Sequence, residues 1–499
     1  MADQEKQAVI APAIAKVDSD EDSLSREWTD EDERRIRQRM DWRIVPTVFV
    51  LYLMCFIDRA NIGVTNKRNR NARIQGMAVD LKLGGYRFNW ALTIFYISYI
   101  LAEIPSNIIL KKVGGRYYLP SLVVTFGLIS MCTAFVKNYE GLLACRFMLG
   151  LAEGGTMPGI SYYLSCFYKR NELLFRLGLF IQGTTLAGAF GGLLAAGLSS
   201  IPSWGVASTP IHSWRNIFFF EGLFTLLVSS FAFFVLPSRP DQCKFLTPRD
   251  QYIALERINK EHKESAMEAT QAKHVHRAIF NINNIICGLG FFAINISVQS
   301  FSLFLPSILS ALGWTALKTQ FYSVPPYVIA CIWSILMFRL SDKFNRRGVF
   351  LVVGAVLAIV GYVMLATTTS NSVKYGAVFL ASAGAFPGGP TWLAWGLNNA
   401  AGPSVRAVTS AYIVSVGSCG AIVATWTYLE KDRPTYHRGH WINVGANIVA
   451  ACLAVAGVVY TKWENKKRDR GDRASRLEGL DDDEKIKLGY RHPDFRYVS

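Results

Sequence analysis

Six long stretches of this chain hold no Asp, Glu, Lys or Arg: residues 177–214, 278–317, 348–373, 375–405, 407–429 and 441–461. Each is long enough to cross a bilayer, which takes about 20 apolar residues. Charged residues make up 18% of the 499, against 51% hydrophobic and 13% aromatic. That is more apolar surface than a soluble single-core protein needs to bury. The signatures of covalent and metal chemistry are also missing. The nine cysteines form no C-x-x-C or zinc-type spacing, and eight of them (Cys55, Cys132, Cys145, Cys166, Cys287, Cys331, Cys419 and Cys452) lie in apolar runs, as small packing residues do. Of seven histidines, His437 and His440 share a loop without further ligands. No H-E-x-x-H, G-x-S-x-G or phosphate-cradling loop accompanies an apolar span, which argues against a multispanning membrane enzyme and points to no cofactor. A pore-lining ring or filter signature is absent too, which disfavours a channel. The apolar segments are preceded by acidic Asp30, Glu31, Asp32 and Glu33 instead of a secretory signal, so the first one is expected to remain as a membrane helix.

What is present is a net charge of +16, spent on the links between apolar runs. That placement suits membrane topology better than a nucleic-acid surface, which would need exposed basic residues interleaved with aromatic platforms. Runs bounded by charge, Pro or Gly predict an all-α membrane protein with twelve transmembrane helices near 43–63, 88–110, 117–137, 139–167, 174–198, 214–236, 279–300, 317–338, 348–369, 373–398, 404–429 and 440–461. The implied organisation is an acidic tail (1–42), a six-helix bundle (43–236), a central loop (237–278), a second six-helix bundle (279–462) and a mixed-charge tail (463–499), with both tails read as solvated. Basic residues before helix 1 (Arg34 to Arg43) and after helices 2, 4 and 8 predict cytoplasmic termini. The loop after helix 1 breaks that rule with Lys67, Arg68, Arg70, Arg73, Lys82 and Arg87.

The halves echo one another. Lys112 with Gly115-Arg116 matches Lys343 with Arg346-Arg347, Met157-Pro158-Gly159 matches Phe386-Pro387-Gly388, and Gly188-x-x-Gly191 matches Gly417-x-x-Gly420, at offsets of 231, 229 and 229 residues. Two parallel repeats place a binding site at their shared interface.

An ionisable group inside a bilayer helix costs several kcal/mol unless it is paired or faces water. The first half holds Asp58, Arg59, Glu103, Arg146, Glu153, Arg215 and Glu221 in such positions. Neighbours on a helix point about 100° apart, so Asp58 and Arg59 each need a partner elsewhere. Arg146 lies roughly 10 Å and Glu153 roughly 20 Å below the outer end of helix 4, which matches Asp58 to Arg146 in depth. A desolvated carboxylate can exchange protons near neutral pH, and Arg offers a planar fork to a substrate carboxylate. Asp58, Glu153 and Glu103 are therefore candidates for proton coupling and Arg59 for substrate binding, against the alternative of a static ion network. Arg215 and Glu221, nearer the outer end, read as structural. Uncharged candidates are Gln182, Asn284, Trp395 and Asn398, with Asn281, Asn283, Gln299, Trp392 and Asn399 nearby.

The ordered set Asp58-Arg-Ala-Asn-Ile-Gly63, Glu103-Ile-Pro-Ser-Asn107, Arg146-Phe-Met-Leu-Gly-Leu-Ala-Glu-Gly-Gly-Thr-Met-Pro-Gly159, Ser165-Cys-Phe-Tyr-Lys-Arg-Asn-Glu172, Gly188-Ala-Phe-Gly-Gly192 and His492-Pro-Asp-Phe-Arg-Tyr497 resembles the fungal allantoate permease group of anion:cation symporters, within the major facilitator superfamily. The resemblance runs from about Met40 to the end of the chain. It implies a monomeric, multi-pass plasma-membrane symporter taking up a small carboxylated or ureido compound, such as a vitamin, ureide or small peptide, with protons. Carried over by motif, it implies that Arg59 receives the anion while Asp58 and Glu153 couple protons. Ser341-Asp342-Lys-Phe-Asn-Arg346-Arg347 is similar to the superfamily's gating loop, which assigns Asp342, Arg346 and Arg347 to the gate, with Arg146 grouped beside them. The first-half copy, Lys111-Lys-Val-Gly-Gly-Arg116, lacks the Asp. Val64 to Arg70 interrupts the family pattern and reads as a shifted splice boundary, a genuine insertion beyond Asp58 being the alternative. Proton-antiport export of a secondary metabolite on the same scaffold is the competing function.

Overall fold

The computed structural model describes residues 28–65, 77–205, 211–263, 276, 279–314, 316–400, 403–477 and 488–499. Twelve long helical segments account for most of them. Helices are what apolar sequence must form where no water can satisfy the backbone. The segments are α1 (Asp30–Thr65), α2 (Arg87–Val113), α3 (Gly115–Thr133), α4 (Tyr139–Glu153, then Thr156–Ser165), α5 (Arg170–Ile181, then Gly183–Ser199), α6 (Trp214–Val235), α7 (Ile282–Ala311), α8 (Ala316–Phe344), α9 (Arg347–Thr367), α10 (Asn371–Ala385, then Gly388–Asn398), α11 (Pro403–Thr425) and α12 (His437–Asp469). Among the described residues, eight helices are long and apolar enough to cross a membrane.

Segments α1–α6 pack chiefly on one another, as do α7–α12. The two groups meet along α5 with α8, α2 with α11, and α1 with α7. One end of the molecule, here the basic face, carries the start of α1 and the α2–α3, α4–α5 and α8–α9 connections. A single residue, Gly114 at φ +86°, separates α2 from α3, a left-handed turn that side chains disfavour. The repeat motifs mark real features of the packing. Helix breaks fall at Gly154-Gly155 and Phe386-Pro387, near the paired Pro-Gly motifs. A Cβ on Gly188 would collide with the Tyr327 ring, and one on Gly417 with the Phe291 ring, so both glycines admit a neighbouring helix at close range.

Charged segments expected to be solvated are packed. Helix α1 starts at Asp30, thirteen residues before the expected boundary at 43, because its polar turns are held by alternating charges. Glu33 meets Lys169 at 2.7 Å, Arg37 meets Glu172 at 2.9 Å, and Asp41 meets Arg176 at 2.5 Å. The central link contains an amphipathic helix, Pro248–Lys263, whose buried Asp250 receives Arg39 at 2.9 Å and Arg35 at 3.2 Å. At the other end of the chain, Arg468 donates to the carbonyls of Tyr490 at 3.0 Å and Phe495 at 2.5 Å, and Asn465 bonds both ways with Tyr497. The segment around 489–499 therefore docks on the basic ends of α9, α10 and α12. Val64 and Thr65 continue α1, and the rest of the Val64 to Arg70 stretch lies outside the described residues.

Candidate functional site

The buried charges of the first half resolve into two pairs. Arg59 places Nε 2.5 Å from Glu153 Oε2, with the arginine side chain 10% exposed and the glutamate fully buried. Its guanidinium is walled by the rings of Phe56, Tyr99 and Phe95, at 4.7, 4.8 and 5.2 Å from their centroids. These rings remove water while favouring a cation over their faces. Asp58 points the other way, as neighbours on a helix must. It accepts a very short hydrogen bond from the Ser130 hydroxyl and lies 3.7 Å from Arg146. Arg146, expected at the gate, thus belongs to this far half of the first bundle, stacked at 5.5 Å on Phe218 and remote from the basic face.

Two further acids complete the set. Glu103 is fully buried on α2, beside Ser415 of α11, so it sits on the contact between the two helix groups. Glu221 shares a small cavity with Asp58 and Ser130, which brings it closer to the charged centre than its position near the end of α6 suggested. Arg215 donates to the Ala134 carbonyl at 2.5 Å and ties α6 to the α3 end, a structural role.

The Arg59 pair borders a second small cavity, lined by Phe56, Thr184, Gly188, Gln299 and Ser302, that lies between α1, α5 and α7. Tyr96 of α2 donates to Gln299, one of the residues lining it, at 2.9 Å. From there α5 leads down to Gln182, at the break between its two halves. Gln182 opens on a cleft of about 170 Å³ between α5 and α8–α10, lined also by Phe175, Phe338, Arg339, Asp342 and Leu393. Arg339 and Asp342 make the mouth of this cleft polar.

At the opposite face the helix groups close on one another. Asn89 donates to the Thr425 carbonyl at 2.5 Å, Thr93 meets Thr425 at 3.0 Å, and the Trp426 indole donates to Thr93 at 3.0 Å. Tyr86 and Trp90 stack around Trp426 at 5.7 and 5.6 Å, and Phe88, Trp214, Leu303, Phe304 and Tyr428 form an apolar layer beneath. The chain is therefore sealed at the far face and grooved at the basic one.

The remaining expected site residues lie elsewhere. Asn284 donates to Thr409 at 2.8 Å, joining α7 to α11. Trp395 is buried, with its indole given to the Val498 carbonyl at 2.8 Å, and Asn399 brackets the same residue through bonds of 3.0 and 2.8 Å. Asn398 stands half-buried next to it and lines neither cavity. In the α8–α9 connection, expected to act as a gate, Arg347 binds Asp342 and donates to Ser341 at 3.1 Å, while Arg346 is exposed. Sequence reasoning missed Phe56, Tyr96, Tyr99 and Thr184. The signal for the tyrosines was their spacing with Glu103: positions 96, 99 and 103 form one stripe of α2 facing the centre.

The family model for the Major Facilitator Superfamily matches residues 48–425. The chain is 31% identical to the MFS-type transporter efuF of Hormonema carpetanum, over 87% of this chain and 86% of that protein. It is 30% identical to the MFS-type transporter cnsO of Penicillium expansum, over 93% of this chain and 90% of that one. A bacterial homologue of the human lysosomal transporter Spinster, solved in an inward-facing and unoccupied conformation, shares the fold at a TM-score of 0.60 and 16% identity, covering 83% of this chain and 96% of that one. The chain therefore belongs to the Major Facilitator Superfamily and is a multi-pass membrane transporter, not an enzyme.

Proposed function

We propose that this transporter imports a small organic anion together with protons, of the kind the allantoate permease resemblance implies, with Arg59 as the anion receptor and Glu153 as its proton-linked partner. The observation that carries the reading is the Arg59–Glu153 pair, caged by rings and bordering a cavity between the helix groups. A substrate carboxylate can take the guanidinium only if Glu153 gives it up. Leaving Glu153 charged and unpaired in that dry cage would cost several kcal/mol. A proton on Glu153 removes the cost, because the set then keeps its net charge as the anion arrives. Coupling follows from charge conservation in a low-dielectric site. Asp58 and Glu103 are the further proton carriers of the proposal, Gln182 a contact on the path, and Asp342, Arg346 and Arg347 the gate at the basic face.

In this reading all twelve segments cross the plasma membrane, residues 43–236 and 279–462 form the rocking bundles, and the basic face lies in the cytoplasm by the excess of Lys and Arg in its short loops. The test is uptake into proteoliposomes of a labelled panel (allantoate, nicotinate, pantothenate and biotin) with and without an acidic outside. Acid-driven accumulation by the native chain, lost in Arg59→Ala and made insensitive to the gradient in Glu153→Gln, supports the proposal. Undiminished uptake by Arg59→Ala overturns it, and acid-driven loss from preloaded vesicles assigns antiport export instead.

A further inference from the structure

A further pocket, remote from the central site, lies where α1, α6 and the central link meet at the basic face. It encloses about 400 Å³. One wall is cationic, with Arg43, Arg116 and Lys244, and no carboxylate lines it. Among the described residues none of these three forms an ion pair, and the buried Nε of Arg116 has no hydrogen-bond partner. A shallower groove continues from it past Arg39 and Arg35. The other wall is apolar and open: Trp42 is 82% exposed, Phe231 67% and Phe234 85%. Phe245 sits between the two walls, under the Arg43 guanidinium at 4.9 Å.

We propose that this pocket binds the headgroup of an anionic phospholipid, with the acyl chains lying along Phe231 and Phe234 of α6. The division of its walls argues for an amphiphile. Three cations converge on a space large enough for a phosphorylated headgroup, and their charge calls for a partner that the described chain does not supply. Aromatic rings left bare on the last turns of a membrane helix are where chains would continue from that headgroup. A soluble phosphate would satisfy the cations and leave the apolar wall unused. Placement in the inner leaflet, which is rich in anionic lipid, rests on the orientation proposed above; the preference for an anionic amphiphile does not.

The experiment is native mass spectrometry of the full-length chain in neutral detergent, titrated with phosphatidylserine and, separately, with phosphatidylcholine. Binding of phosphatidylserine in preference to phosphatidylcholine is expected. It should weaken about fivefold in Arg43→Gln and in Lys244→Gln, and about 25-fold in the double variant, at about 1 kcal/mol per basic residue near a headgroup. Both side chains are exposed, so the variants keep the fold. Lys466→Gln, which removes an exposed charge at the same face on α12, is expected to bind as the native chain does. Equal weakening by Lys466→Gln overturns the proposal in favour of diffuse attraction. Displacement of phosphatidylserine by inorganic phosphate overturns it in favour of a soluble-anion site. Transport plays no part in the readout, so a failed uptake experiment leaves this result standing.

Discussion

Removing the charge of Arg59 should do far more harm than removing it together with that of Glu153. In Arg59→Met the Glu153 carboxylate stays fully buried, and its Oε1 already lacks a hydrogen-bond partner in the native chain. Breaking one partner out of a buried pair costs about 3–5 kcal/mol, roughly a 150- to 5,000-fold change in the folded population. Arg59→Met/Glu153→Gln leaves two neutral groups of similar volume, for which the expected cost is near zero. Glu153→Gln alone strands the Arg59 charge at a similar cost, so the coupling energy between the two sites is expected to approach the sum of the two single losses, about 6–10 kcal/mol. Unfolding of purified native, single and double variants in detergent measures it as a double-mutant cycle. Uptake of the same proteins supplies the second axis: the double variant should fold well and carry nothing. Additive losses of stability would refute the pairing argument, and a transporting double variant would refute the receptor role while leaving the pairing intact.

Three further outcomes follow from single contacts. Ser130→Ala deletes the hydroxyl that donates to Asp58 and leaves a carboxylate whose other partner, Arg146, is 3.7 Å away; a loss of about 2 kcal/mol in unfolding free energy is expected, and no loss would mean Arg146 suffices. Trp426→Ala removes a 3.0 Å bond to Thr93 and two ring contacts at the far-face seal. Each contact is worth about 1 kcal/mol, so the far face should open roughly 30- to 150-fold more often, read as faster labelling of a cysteine placed at Leu303 from that side. Asn399→Ala cuts the bonds that bracket Val498; hydrogen exchange over 489–499 should rise at least tenfold, and unchanged protection would show that Trp395 and Arg468 hold the segment without it.

The helices were legible because the bilayer imposes a long, charge-free pattern, and the Asp58–Arg146 match because depth along a helix restricts which buried ions can meet; depth alone does not name the partner of Arg59. Legibility stopped where an interaction depends on two distant segments at once. Glu33, Arg37 and Asp41 repeat every four residues with alternating sign, and Lys169, Glu172 and Arg176 answer them, yet either set alone reads as a solvated tail or a topology signal. Trp395 and Asn399 looked like cavity residues because a polar or aromatic group inside an apolar helix needs some partner. That partner is the backbone near Val498, a hundred residues away in sequence and without any side-chain signature. Tyr96 and Tyr99 were overlooked for the opposite reason: aromatics in membrane helices most often face lipid, and only the position of Arg59 makes these two a wall of the site.

The location of the pairs restricts how the proposed cycle can work. Asp58–Arg146 and Arg59–Glu153 each lie wholly within α1–α6, so a rigid rotation of that group against α7–α12 moves both pairs without stretching either. Among the described residues, the contacts that cross between the groups at the centre are uncharged, Tyr96 with Gln299, or involve the acid Glu103 beside Ser415. Rocking therefore supplies no force that would separate Arg59 from Glu153. In the proposed cycle the pair must be broken chemically, by a proton on Glu153 and an anion on Arg59, and the reoriented bundles then expose both to the other side. This fixes the order of events: a Glu153→Gln variant, with the pair already weakened, should bind the substrate anion without a proton and exchange it across the membrane, but accumulate none against a gradient. Counterflow retained with net accumulation lost is the expected pattern in proteoliposomes. Loss of both would show that Glu153 holds Arg59 in place for binding instead of competing for it.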